Sequence, residues 1–136
     1  MKEILCTAIG IIGGALSFLF GGLDAALIVL LIFMAIDYIT GVIVAAFFKN
    51  SDKSESGGLN SKAGWKGLVK KCVILLMVIV ATMLDYVTGL TIVRDGVITA
   101  FVANELLSII ENAGLMGIPM PEVIKKGLDV LNGKTN

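Results

Sequence analysis

Residues 25–48 read AALIVLLIFMAIDYITGVIVAAFF: twenty-four residues in which Asp37 carries the only charge. Crossing about 30 Å of hydrocarbon takes around 20 helical residues, so this stretch is long enough to span a bilayer. Three further stretches share its character: Ile4–Phe20, Cys72–Val93 and Val97–Ile118. Around them the chain is 57% hydrophobic and 16% charged, with a mean hydropathy of +0.94. A typical soluble domain is about 25% charged, and one core of this size cannot hide so much apolar surface. The expected fold is an all-α integral membrane protein. It has about four transmembrane helices, near 4–22, 23–48, 68–93 and 97–118, in a single membrane domain, 1–136. A cytoplasmic loop, 49–67, separates the second and third.

The first stretch reads as a retained span. Lys2 is its only preceding positive charge, and no small-x-small cleavage site follows. Gly10, Gly13, Gly14, Ser17 and Gly21 recur at three- and four-residue steps and line one helix face. The Gly10-x-x-x-Gly14 pair would let two membrane helices approach closely, although glycine is also simply common in such helices.

Six of the eleven basic residues fall between Lys49 and Lys71, and Lys62, Lys66, Lys70 and Lys71 surround Trp65 as a membrane-surface segment. Cytoplasmic loops collect Lys and Arg, and Trp favours the headgroup region, so this loop is expected to face the cytoplasm. Four spans then put both termini inside, with ten basic residues there and only Arg94 outside. If the fourth stretch did not cross, the split would be seven against four, so the charges favour four. After Ile118, Pro119-Met120-Pro121 breaks the helix. A short amphipathic tail helix, 121–132, follows.

Charge inside the apolar stretches carries the functional information. Asp37, Asp85, Glu105 and Glu111 lie there, with no Lys or Arg in the same stretches to pair with them. Each acid at mid-membrane costs about 2.5–3.5 kcal/mol on insertion scales, so each needs protonation, a hydrogen-bonding neighbour or water. Counting about 1.5 Å per residue from the expected inner boundary puts Asp37, Asp85 and Glu105 near one depth, about 18–21 Å in. Close packing there would disfavour full ionisation. Asp37-Tyr38-Ile39-Thr40-Gly41 returns as Asp85-Tyr86-Val87-Thr88-Gly89, either an internal repeat or a coincidence of five residues. Gly41 and Gly89 lie four residues after their aspartates, on the same helix face. Asn104, Glu105, Ser108, Glu111 and Asn112 form one polar stripe, expected to line water or a subunit contact.

These runs resemble the toxin secretion / phage lysis holin family of Gram-positive phages and clostridia. The resemblance rests on Asp37 to Gly41 with Ala45 after it, Leu59-Asn60-Ser61-Lys62-Ala63-Gly64-Trp65-Lys66-Gly67 leading to Lys70-Lys71, the Asn104 to Asn112 run, and Gly117-Ile118-Pro119-Met120-Pro121. It covers roughly Ala35 to Leu131. What it implies is a holin of the bacterial cytoplasmic membrane that assembles with itself into lesions. An endolysin or a large toxin would pass through as cargo.

The residues themselves offer no catalytic signature: no His, no nucleophile elbow, no P-loop and no metal cluster. Neither catalysis nor a cofactor is expected. Zero net charge argues against a nucleic-acid partner. Cys6 and Cys72 read as small packing residues rather than a disulfide. Intramembrane acids also suit a small proton- or cation-coupled transporter, and a polar stripe suits a membrane anchor or chaperone subunit docking a partner helix.

Overall fold

Capping side chains decide where the helices begin, and they displace the boundaries from the hydrophobic edges. A computed structural model describes residues 1–131 and 133. Asn132, where the expected tail ends, and Lys134, counted among the inner charges, lie outside the described residues. Among those described there are helices and connections but no strand. Helix α1 is Lys2–Phe20 and α2 is Ala25–Ile43, prolonged by a π-helical turn at Val44–Phe48. Helix α3 is Ser61–Thr88, α4 is Ile92–Leu115 and α5 is Glu122–Leu131.

Asp24 starts α2 by accepting the Leu27 N–H at 3.0 Å. Asn60 starts α3 by accepting the N–H groups of Lys62 and Ala63 at 2.8 and 3.4 Å. The third helix therefore begins at Ser61, before the expected 68, because its first turns are polar yet well capped. It stops at Gly89, whose left-handed φ of 70° suits glycine. Ile92 and Val93 thus belong to α4, and the expected third span, 68–93, is cut before its end.

Helices α1, α2 with its π turn, and α3 are long and apolar enough to cross a membrane. Helix α4 has the length, at 24 residues, but carries Arg94, Asp95, Glu105 and Glu111. It runs parallel to α2 along the latter's whole length. Arg94 meets Asp24 at one end, and Asn50 Nδ2 donates to the Leu115 carbonyl at the other. Helix α3 packs antiparallel to both. Leu27, Leu30 and Met34 of α2, Val78 of α3, and Ile98 and Val102 of α4 form the apolar centre. Lipid tails are as apolar as these side chains, so close packing and hydrogen bonds, rather than escape from water, hold membrane helices together.

Helix α1 stands apart, without a buried residue. It is fastened near its C-terminus, where Phe18 stacks on Tyr86 with ring centroids 5.1 Å apart and the Tyr86 hydroxyl donates to the Phe18 carbonyl. Gly10, Gly13 and Gly14 have open space where a Cβ would point. Cys6 and Cys72 are free thiols on the surface of the single chain. Helix α5 buries none of its residues either, and its apolar and charged side chains separate to opposite faces.

Candidate functional site

The inner face of α3 reads Gly64, Gly67, Lys71, Ile74, Val78, Thr82 and Asp85, at steps of three and four. Lys62 and Trp65 point away from that face and Lys66 and Lys70 flank it, all four exposed. Lys71 is accordingly not a surface-loop residue. It lies ten residues into the helix, and its side chain is only 14% exposed.

Its ammonium donates at 2.7 Å to Asp37 Oδ2 on α2 and at 2.7 Å to Glu105 Oε2 on α4. One lysine thus ties three helices together. Two carboxylates against one ammonium leave a negative charge, and Lys53, from the loop, stands 3.9 Å from Asp37 Oδ1. The expectation that the buried acids lack a basic counterpart is therefore overturned. The helical extension created by Asn60 is what carries Lys71 inward.

Asn112 completes the cluster. Its Nδ2 donates to Asp37 Oδ1 at 3.0 Å, to the Asp37 carbonyl at 3.1 Å and to Thr40 Oγ1 at 2.8 Å. The Thr40 hydroxyl bonds back to the Ile36 carbonyl at 2.8 Å. Gly41 sits beside the same amide, 3.8 Å from where its Cβ would be. The Tyr38 ring lies over Gly64 and Gly67 of α3, where a Cβ would be 3.4 and 3.6 Å away. Among the described residues, no buried side-chain nitrogen or oxygen lacks a partner. That satisfaction makes a charged core tolerable in an apolar medium.

The polar stripe of α4 is split by depth. Glu105 and Asn112 are buried against α2 and α3, Ser108 is half-buried, and Asn104 and Glu111 are exposed. The five residues cover about 120° of the helix, and only one edge of that arc turns inward. A cavity of about 400 Å³ opens above the cluster toward the loop, and Asn104 and Ser108 line its wall.

Asp85 does not share the level of Asp37 and Glu105. It sits at the opposite end of the bundle and accepts the backbone N–H groups of Val93 and Arg94 at 3.1 and 2.9 Å. It caps α4, whose own N-cap residue, Thr91, makes no side-chain cap bond. Of the repeated motif, Tyr86 holds α1, and Thr88 donates to the Leu84 carbonyl at 2.7 Å. Both aspartates of the repeat bind α4, one at its start and one toward its end. Asp85→Ala is expected to cost about 0.5–2 kcal/mol, the value of a lost cap, read as a lower midpoint of thermal unfolding in detergent.

Near Asp85, Arg94, counted from the sequence as the one basic residue outside, forms a second ionic centre in the first turn of α4. Nε donates to the Phe20 carbonyl at 2.6 Å and Nη2 to the Gly22 carbonyl at 3.1 Å. Nη1 and Nη2 grip both oxygens of Asp24, at 2.8 and 3.0 Å. Gly21 has φ 72°, and a Cβ there would fall 2.8 Å from Arg94 Nε. The Arg94 hydrogen bonds hold the Asp24 carboxyl at about 2, below its ordinary 3.8. Because the folded value is the lower one, the stabilisation is complete above about pH 4 and fades as pH falls toward 2. Unfolding midpoints should show it: the advantage of wild type over Asp24→Asn stays constant above that range and narrows below it.

These features define a small multi-helix membrane protein whose helices are joined by buried ion pairs and hydrogen bonds at two levels. Its sequence matches the bacteriophage holin family over residues 14–133. The chain belongs to that family. An uncharacterised protein of Listeria innocua is 39% identical over 136 residues, covering 99% of this chain and 91% of its own. An uncharacterised protein of Clostridium perfringens is 34% identical over 137 residues, covering 98% and 96%. A protein named probable holin, from Bacillus phage phi105, is 36% identical over 118 residues, covering 86% and 78%. No solved structure matches the chain.

Proposed function

We propose that this protein acts as a holin: it accumulates in the bacterial cytoplasmic membrane, oligomerises and opens lesions that release an endolysin or a large toxin. Family membership supports the class, and the observation that carries the mechanism is the pairing of an open glycine face on α1 with a closed ionic core. Helix α1 offers Gly10, Gly13 and Gly14 to another copy, since among the described residues nothing lies within 4 Å of where their Cβ atoms would be. The core keeps Asp37, Glu105 and Lys71 away from lipid until the assembly admits water.

In this reading α4 crosses the bilayer with α2, because the two lie side by side from Asp24 to Asn50. The lysine-rich loop and both termini then face the cytoplasm. Opening requires α4 to turn its polar arc toward water, so that Asn104 and Glu111 line the lesion first and Glu105 follows. The proposed activity needs no catalysis and no cofactor.

Inducing the gene together with an endolysin in a bacterium tests this. The expected result is normal growth, then an abrupt fall in turbidity. Sustained growth with the protein present in the membrane fraction contradicts the reading. A gradual ion leak without endolysin release favours a carrier instead. Gly10→Leu with Gly14→Leu is expected to leave membrane insertion intact and to delay lysis severalfold; an unchanged lysis time would remove α1 from the assembly step.

A further inference from the structure

The cavity above the ionic core has a floor, a wall and a mouth of different chemistry. Its floor is Asp37, Glu105 and Lys71. Val42, Ala45 and Ile74 supply an apolar wall between α2 and α3, while Lys53, Lys66 and Lys70 stand around it as well. Lys71 is consumed by the two acids at 2.7 Å, and Lys53 leans toward Asp37 at 3.9 Å. Lys66 and Lys70 have no acidic group within 4.0 Å among the described residues. The lining therefore carries a surplus of two positive charges.

Lys66 and Lys70 are four residues apart on α3, so they rise from one helix face about one turn from each other. That spacing suits a single phosphate gripped from two sides. Trp65, next to Lys66, is 69% exposed, as an interfacial anchor would be. Basic pockets between membrane helices on the cytoplasmic side take anionic lipid head groups.

We propose that this cavity binds the phosphodiester of an anionic phospholipid from the cytoplasmic leaflet, with Lys66 and Lys70 as its cationic ligands and the Val42–Ala45–Ile74 wall beside the start of an acyl chain. The site rests on the membrane placement argued above, and deepens it by giving the loop a defined lipid ligand. Occupancy would brace the loop across α2 and α3, directly over the clasp that Lys71 makes.

Trp65 is the chain's only tryptophan and adjoins Lys66 in the sequence, so its fluorescence reports lipid gathered around this end of α3. The full chain in a non-ionic detergent is titrated with brominated phosphatidylglycerol, or with brominated phosphatidylcholine of the same acyl chains, while Trp65 fluorescence is followed. Phosphatidylglycerol is expected to quench at a mole fraction about thirtyfold lower, the factor that two lysines supply. Lys66→Gln with Lys70→Gln should abolish that preference. Lys125→Gln with Lys126→Gln, an equal charge change outside the cavity, should keep it. Equal quenching by both lipids in the wild type overturns the site, as does equal loss in the two double variants. Displacement of the lipid by inorganic phosphate assigns the pocket to a soluble anion and overturns the lipid. None of these readouts requires lesion formation, so failure here is separable from failure of the holin reading.

Discussion

Lys71→Met is expected to destabilise the purified protein by about 3–5 kcal/mol, the cost of removing one partner from a buried ion pair. The replacement has a similar length and keeps the packing of α3. What it removes is the ammonium between Asp37 and Glu105, leaving two carboxylates facing each other with side chains only 9% and 4% exposed. Lys53 cannot take over both, because it reaches only Asp37, at 3.9 Å, from an exposed position. Thermal unfolding in detergent, followed by circular dichroism, reads the loss. The triple variant Lys71→Met, Asp37→Asn, Glu105→Gln removes every charge at once. It is expected to recover all but about 1–2 kcal/mol, since well-packed neutral replacements of buried ion pairs are often near neutral. A triple variant as unstable as the single one would show that Lys71 acts through packing instead. In cells, the single variant should trigger lysis earlier at equal protein levels, because the closed core is what it weakens.

Arg94→Met is expected to cost about 2–4 kcal/mol and to release α1 from the bundle. The guanidinium satisfies the Phe20 and Gly22 carbonyls and both Asp24 oxygens at once. The two half-buried carbonyls left without a donor carry most of that figure, up to about 1–3 kcal/mol each. Asp24 contributes less, because its side chain is 48% exposed and water can replace the arginine. Arg94→Lys should rescue less than half, since one ammonium cannot present the planar fork that reaches both carbonyls, both Asp24 oxygens and Asp95 Oδ1. Limited proteolysis of the Gly21–Asp24 connector and the unfolding midpoint should change together. If the midpoint falls while the connector stays protected, α1 is held mainly by the Phe18–Tyr86 stack.

Much of this was legible in the sequence. Continuous apolar runs made α1 and α2 visible, and the polar, lysine-rich segment marked the break between α2 and α3. The acids in α2 and α4 were recognisable as residues that must be shielded. Their partner was not, because Lys71 follows Lys70 and was read with the loop. The signal existed in its spacing: Lys71 lies seven residues before Val78 and fourteen before Asp85, on the inner face. Asn60 before Ser61, and Asp24 three residues before Leu27, were cap signatures that would have moved two boundaries. Arg94 lay in a gap between hydrophobic runs, and hydropathy cannot say that such a gap is the first turn of a helix. Which edge of the α4 stripe faces inward depends on where α2 and α3 lie, a tertiary fact with no local signature. The matching five-residue runs misled in depth, since Asp37 pairs within the bundle whereas Asp85 caps a helix end.

The claim on which everything turns is that Lys71 reaches across to both acids inside the membrane. Rotational-echo solid-state NMR in lipid bilayers tests it, with lysine Nζ labelled with nitrogen-15 and the Asp and Glu carboxyl carbons with carbon-13. The Lys71 signal is identified by its disappearance in Lys71→Gln. The account predicts dephasing of that signal by two carboxyl carbons within about 4 Å, the separation a charge-assisted hydrogen bond imposes, reduced to one in Asp37→Asn and one in Glu105→Gln. A Lys71 nitrogen showing no carboxyl carbon within about 6 Å would contradict it.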